Sequence, residues 1–107
     1  MSKARQKGTG WEVELLPILR AVFGEHVERA PLKGTADDGD FCGCDGLLIE
    51  AKKTDVPHFL QWAKTAQSKR PDGDWRIIWS GDRRKGDGPF VMMSLKEYVQ
   101  LELEAQR

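Results

Sequence analysis

The feature that most constrains this fold is a pair of short apolar segments, residues 40–44 and 46–51, which meet at the dipeptide Asp45-Gly46. Asp-Gly favours the backbone conformation of a tight two-residue turn, so the pattern predicts an antiparallel hairpin. The second segment contains an uninterrupted apolar run, residues 47–49, which is typical of a strand buried on both faces. The hairpin is therefore expected to belong to a central sheet.

Apolar periodicity and turn residues predict the remaining elements on either side of this hairpin. In chain order, they are a helix at 10–23, a strand within 26–29, the two hairpin strands, a helix at 56–69, strands at 75–80 and 90–93, and a helix starting at Ser94. Ser94 and Glu97 form a capping box for the last helix, whereas Pro17 interrupts the first. The order αβββαββα predicts an α+β fold with a central mixed β-sheet flanked by helices.

The size and composition of the chain favour one domain and no membrane span. With 107 residues, the chain is expected to form a single domain over residues 1–107, with residues 1–8 as a flexible basic arm. No apolar run approaches the roughly 20 residues that span a bilayer, and the polar start lacks the apolar region of a signal peptide. A cytoplasmic location is expected by default. Cys42 and Cys44 are expected to be free thiols, because a bond between them would close a strained loop.

The positions of the charged residues are more informative about binding partners than the net charge is. The 17 basic and 17 acidic residues cancel, whereas a basic surplus is the usual mark of a nucleic-acid-binding protein. The basic residues nevertheless cluster, and those that we expect to contact nucleic acid on this basis are Lys3, Arg5, Lys7, Lys53, Arg83, Arg84 and Lys85. For the loop at 83–85, a solvated surface is the alternative.

Three residues combine into a chemically competent group: Asp40, Glu50 and Lys52. Glu50 and Lys52 are two apart on one strand, so their side chains share a face, and the hairpin brings Asp40 alongside them. Two adjacent carboxylates favour a hard divalent cation such as magnesium, and a neighbouring ammonium can activate water or stabilise charge on a phosphate. Two acids and a lysine around one metal predict phosphodiester hydrolysis. An exposed Glu50–Lys52 ion pair at a sheet edge is the alternative.

The same residues carry a family resemblance. Gly39-Asp40, followed by Glu50-Ala51-Lys52, resembles the signature of the PD-(D/E)XK nuclease superfamily, with Gly39 in place of the proline. The segment Lys7 to Glu12 and Arg29 are similar to features of the Holliday junction resolvases in that superfamily. The resemblance covers residues 5 to about 80 and implies a restriction-endonuclease-like core.

Roles follow from the resemblance position by position. It implies that Asp40 and Glu50 bind magnesium, or manganese as a substitute, together with the backbone carbonyl of Ala51. Lys52 would position or activate the attacking water. Glu12, on the first helix, would be a further catalytic residue that reaches the site directly or through a water.

Three further assignments follow from the same resemblance. Glu14 is the alternative to Glu12 if the helical register differs by half a turn. Gln67 would be the polar residue of the second helix that contacts nucleic acid, with Gln61 as its competitor. Arg29 would also contact DNA.

The sequence therefore predicts a magnesium-dependent, structure-selective DNA endonuclease. A Holliday junction resolvase of phage type is the leading interpretation, working as a homodimer because a four-way junction needs two symmetric cuts. A nicking or repair endonuclease with another structure preference is the first alternative. A catalytically inactive DNA-binding subunit of the same fold is the second.

Overall fold

Helices and strands follow one another in the predicted order within residues 3–30, 39–82 and 84–107, which are the residues that this computed structural model describes. The elements are α1 (Lys3–Phe23), β1 (Glu28–Arg29), β2 (Phe41–Cys42), β3 (Leu48–Lys52), α2 (Phe59–Lys69), β4 (Trp75–Trp79), β5 (Phe90–Met92) and α3 (Leu95–Ala105). The predicted α+β class and the order αβββαββα are confirmed.

Two helices differ at their starts from the prediction. Helix α1 begins at Lys3 and runs through Pro17, whereas the prediction started this helix at residue 10. Helix α2 begins at Phe59, because the Thr54 hydroxyl bonds to the Val56 carbonyl at 2.8 Å and holds that stretch in a local turn. Across the described ranges, every helix is too short or too polar to cross a bilayer.

A mixed three-stranded sheet forms the centre. Strands β3 and β4 run parallel, with Glu50 opposite Ile77, and β5 pairs antiparallel with β4. The two-stranded sheet β1–β2 is separate, with Arg29 opposite Phe41. The predicted strand that runs to residue 44 is shorter, because Gly43 adopts a φ of +87° and turns the chain after Cys42.

The Asp45-Gly46 turn forms as predicted, but the strands that it joins do not form a continuous ladder. Asp45 and Gly46 both have positive φ, and the Leu47 N–H donates to the Cys44 carbonyl at 3.0 Å. Strand β2 instead forms its ladder with β1, and the segment meets β3 through the bond from the Asp40 N–H to the Ile49 carbonyl, at 2.9 Å.

Helices cover both faces of the sheet. Ile49 and Ile78 face α1, where Trp11 is buried and donates from Nε1 to the Ile78 carbonyl at 3.0 Å. Leu48 and Ile77 face the opposite way, into the core formed with α2. Strand β3 is thus buried on both faces, as its apolar run predicts, and each such side chain contributes about 1.5–3 kcal/mol on burial.

Helix α3 is attached through its first turn. The Ser94 hydroxyl accepts from the Glu97 N–H at 3.3 Å, which is half of the predicted capping box. The Glu97 carboxylate also pairs with the Arg76 guanidinium of β4 at 3.1 Å. No residue of α3 is buried.

Candidate active site

Asp40 is held against β3 by two hydrogen bonds. Its N–H donates to the Ile49 carbonyl at 2.9 Å, and its carboxylate Oδ2 accepts from the Ala51 N–H at 2.7 Å. Gly39 makes this approach possible, with a φ of +72° and no Cβ, since a Cβ there would lie 2.8 Å from the Ile49 carbonyl oxygen. A proline cannot adopt that φ, which explains why glycine stands before Asp40.

Glu50 and Lys52 lie on the face of β3 that is turned towards α2. Both line a cleft of about 270 Å³ between the strand and the helix. The α2 residues that share this cleft are Gln61, Trp62, Thr65, Ala66 and Lys69. The Lys52 Nζ lies over the Trp62 ring, 5.8 Å from its centroid, which limits the positions that the ammonium can take.

The two carboxyl groups and the lysine converge, as the hairpin pattern predicts. Burial raises the pKa of Glu50, and the neighbouring Asp40 raises it further, both by its charge and by a side-chain hydrogen bond between the two carboxyls. The charges of Lys52 and Lys69 act in the opposite direction on that pKa. The Lys69 Nζ lies 3.6 Å from Glu50 Oε1. Crowded carboxyl groups of this kind favour a cation that relieves their repulsion.

The main chain supplies a third oxygen donor at the same edge. Because the Lys52 carbonyl accepts from the Ser80 N–H at 2.9 Å, the even-numbered residues of β3 bond to β4. The carbonyl of Ala51 therefore points to the other edge, where its own N–H meets Asp40. This is the carbonyl that the resemblance assigns to the metal.

These donors fit a magnesium ion. In the parts of the chain that the structure describes, no three His, Cys, Asp or Glu side chains form a ready-made metal site. Asp40, Glu50 and the Ala51 carbonyl would hold the ion, which suits magnesium because it accepts few protein ligands and keeps several waters.

Glu12 does not join Asp40 and Glu50 in one cluster. It lies on α1, which packs against the opposite face of the sheet from Glu50, and its Oε1 is 3.4 Å from the Arg29 Nε. Glu14, its alternative, is exposed. Arg29, expected to contact DNA, is engaged with Glu12 and only partly exposed.

Gln67 does not face the cleft, whereas its competitor Gln61 does. The Gln67 Oε1 accepts from the Trp75 Nε1 at 2.7 Å, and its amide nitrogen donates to the Pro71 carbonyl at 2.6 Å. Gln67 therefore supports the end of α2. The resemblance alone could not separate the two glutamines, because it did not fix the phase of the helix.

Lys69 is the site residue that the sequence analysis missed. The spacing of Trp62, Ala66 and Lys69, four and then three residues, places all three on the side of α2 that faces β3. That spacing was the available signal, but a lysine in the last turn of a helix is usually read as a favourable charge for the helix dipole.

The other basic residues are distributed unevenly. Lys53 and Arg84 line a second cleft, where the Arg84 guanidinium lies 3.6 Å from Asp82 and 3.7 Å from Asp55. Lys85 is exposed in the following loop. Arg83 and the side chains of Lys3, Arg5 and Lys7 lie outside what the structure describes.

Comparisons of the chain with protein-family models, with curated proteins and with solved structures found no match. Its function must therefore be inferred from the site itself.

Proposed function

We propose that this chain is a magnesium-dependent DNA endonuclease with a restriction-endonuclease-like core. The observation that carries the proposal is the convergence of Asp40 and Glu50 at the edge of β3, with the Lys52 ammonium on the same strand face as Glu50. An exposed ion pair at a sheet edge does not explain this arrangement. Glu50 is mostly buried and shares its hydrogen bond with another acid, and such a pair is costly unless a cation or a proton compensates it.

The residues have distinct tasks in this proposal. The bound magnesium would lower the pKa of a water and neutralise charge on the phosphate. Asp40 is oriented by the Ala51 N–H, so its other carboxyl oxygen would face the ion together with Glu50. Lys52, whose ammonium lies over the Trp62 ring, would place a positive charge beside the attacking water and the scissile phosphate.

Branched DNA is the proposed substrate, with manganese as a substitute metal. Lys53 follows directly from the end of β3 and would offer a positive charge to the phosphates next to the cleavage point, whereas Arg84 in the same cleft is paired with Asp55 and Asp82. A chain of 107 residues has little surface for base readout, which favours recognition of shape. A Holliday junction cut by a homodimer fits both features, because two identical sites are needed.

Cleavage of a synthetic four-way junction tests this proposal, with linear duplex and flap DNA beside it. Wild-type protein is expected to cut the junction with magnesium, and Asp40→Asn or Lys52→Ala is expected to lose at least about 10²-fold in rate while binding is retained. Asp45→Asn and Lys64→Ala are the matched controls, because both residues are exposed and away from the cleft.

Each possible result of the cleavage assay distinguishes the proposed function from one of its alternatives. Equal cleavage of junction and linear DNA would keep the nuclease and remove the resolvase. Selective cutting of flaps or nicks would favour the repair endonuclease. Binding without cleavage in magnesium or manganese would contradict the enzyme and favour the DNA-binding subunit.

A further inference from the structure

Lys69 enters the cleft from the helix side. It is the last residue of α2, its ammonium lies 3.6 Å from Glu50 Oε1, and its side chain is 24% exposed. Asp40 approaches Glu50 from the edge of β3, where its carboxylate accepts from the Ala51 N–H. Glu50 thus contacts a lysine of the helix and also belongs to the pair of carboxyl groups that is proposed to hold the ion.

The formal charges around Glu50 cancel as the structure shows them. Asp40 and Glu50 contribute two negative charges, and Lys52 and Lys69 contribute two positive charges. A divalent cation held by the two acids would leave two positive charges in excess, and it would repel the Lys69 ammonium from Glu50. Such an excess attracts an anion, and the anion that the proposed function brings to this cleft is a DNA phosphate.

The flank of α2 beside Lys69 carries groups that bind phosphate. Gln61, Thr65 and Lys69 all line the cleft, and their spacing of four residues places each about 6 Å from the next along the helix. Their amide, hydroxyl and ammonium groups are donors of the kind that proteins use for phosphate oxygens. Because Lys69 has a flexible four-carbon stem, its ammonium can leave Glu50 and reach a phosphate on this flank.

We propose that Lys69 couples metal binding to DNA binding: it pairs with Glu50 until a divalent cation binds there, and it then binds a phosphate of the DNA strand in the cleft. The inference rests on the proposed function for the identity of both ligands, but it concerns their binding and not cleavage. Because coupling between two ligands is reciprocal, DNA would tighten the binding of the cation by the same factor.

The affinity for DNA, measured with and without a divalent cation, tests this coupling. Calcium is the probe, since it binds carboxylate oxygens as magnesium does, and a denaturing gel checks that the four-way junction stays intact. The ratio of the affinity in calcium to that in chelator is expected to be at least about threefold larger for the wild type than for Lys69→Gln.

Two further variants control this comparison. Lys64→Gln removes the same charge from an exposed position on the same helix, so its affinity ratio is expected to match that of the wild type. Lys69→Arg keeps the positive charge and is expected to retain the coupling. Circular dichroism of each variant checks that α2 stays folded.

The salt dependence of DNA binding gives an independent measurement. A lysine that neutralises a phosphate releases counterions, so one contact changes the slope of log affinity against log salt concentration by about 1. In calcium, the slope is expected to be steeper by about 1 for the wild type than for Lys69→Gln. In chelator, the two slopes are expected to agree.

Equal affinity ratios for the wild type and Lys69→Gln would overturn the proposal. A defect of Lys69→Gln that is as large in chelator as in calcium would also overturn it, because Lys69 would then bind phosphate independently of the cation. Coupling through Lys69 in a protein that cuts no DNA in magnesium would leave this proposal standing and contradict the proposed function instead.

Discussion

The ionised form of Glu50 is unfavourable in the folded chain when no cation is bound. Burial raises its pKa first and Asp40 raises it further, so the folded chain binds a proton at this carboxyl more tightly than the unfolded chain does. The stability that comes from this proton is fully present below the unfolded pKa, about 4.3, and is lost as the pH rises through the raised folded pKa. In the metal-free protein, the ionised Glu50 therefore lowers the free energy of unfolding near neutral pH.

A glutamine at this position should remove that cost. Glu50→Gln resembles the protonated carboxyl, so the variant is expected to melt at a higher temperature than the wild type at pH 7 in a chelator. The difference should shrink below about pH 4, where the wild-type carboxyl is itself protonated. Thermal unfolding at both pH values measures this, with the exposed Glu28→Gln as control. A variant that melts lower than the wild type at pH 7 would show that the ion pairs of Glu50 outweigh its burial.

Lys69 acts on the same carboxyl from the helix side. Its ammonium lies 3.6 Å from Glu50 Oε1 and is only partly exposed, so it competes with a divalent cation for that oxygen. Lys69→Gln is expected to bind manganese several-fold more tightly, as followed by the paramagnetic signal of the free ion in the absence of DNA. Lys64→Gln, an exposed change on the same helix, should bind like the wild type. Unchanged affinity in both variants would place Lys69 outside the reach of the metal.

At the scale of elements, features that depend on neighbouring residues were predicted correctly, whereas the pairing of strands distant in sequence was not. The Asp45-Gly46 turn, the strand at 75–79 and the cap at Ser94 appear where residue type alone predicts them, because each depends on neighbours within a few positions. The partner of β2 could not be read in this way. Gly43 ends the strand early, and the pairing with β1 joins residues more than ten positions apart.

The candidate site was predictable where it depends on a strand and uncertain where it depends on a helix. Glu50 and Lys52 share a face because strand side chains alternate strictly, and the turn fixes Asp40 beside them. Positions on α1 and α2 depend on helical phase and on which face of the sheet each helix covers. For that reason the sequence could not decide whether Glu12 reaches the site or which of Gln61 and Gln67 faces the cleft, and Lys69 was overlooked.

At the scale of the whole molecule, the sheet separates two regions with different tasks. The face towards α1 is a closed apolar core around Trp11 and Ile49, whereas the face towards α2 opens into the cleft of Glu50 and Lys52. The exposed apolar side chains of α3 form a third region beyond β5. A chain organised in this way can hold a charged site at one edge of its sheet without disturbing the core.

Calorimetric titration of manganese into the metal-free protein tests the central claim most directly, namely that Asp40 and Glu50 form a divalent-cation site. The wild type and Asp45→Asn are expected to bind one ion each, and Asp40→Asn is expected to bind at least about tenfold more weakly, because a neutral amide replaces one of the two charged ligands. Equal binding by wild type, Asp40→Asn and Asp45→Asn, or binding by none of them, would contradict the account.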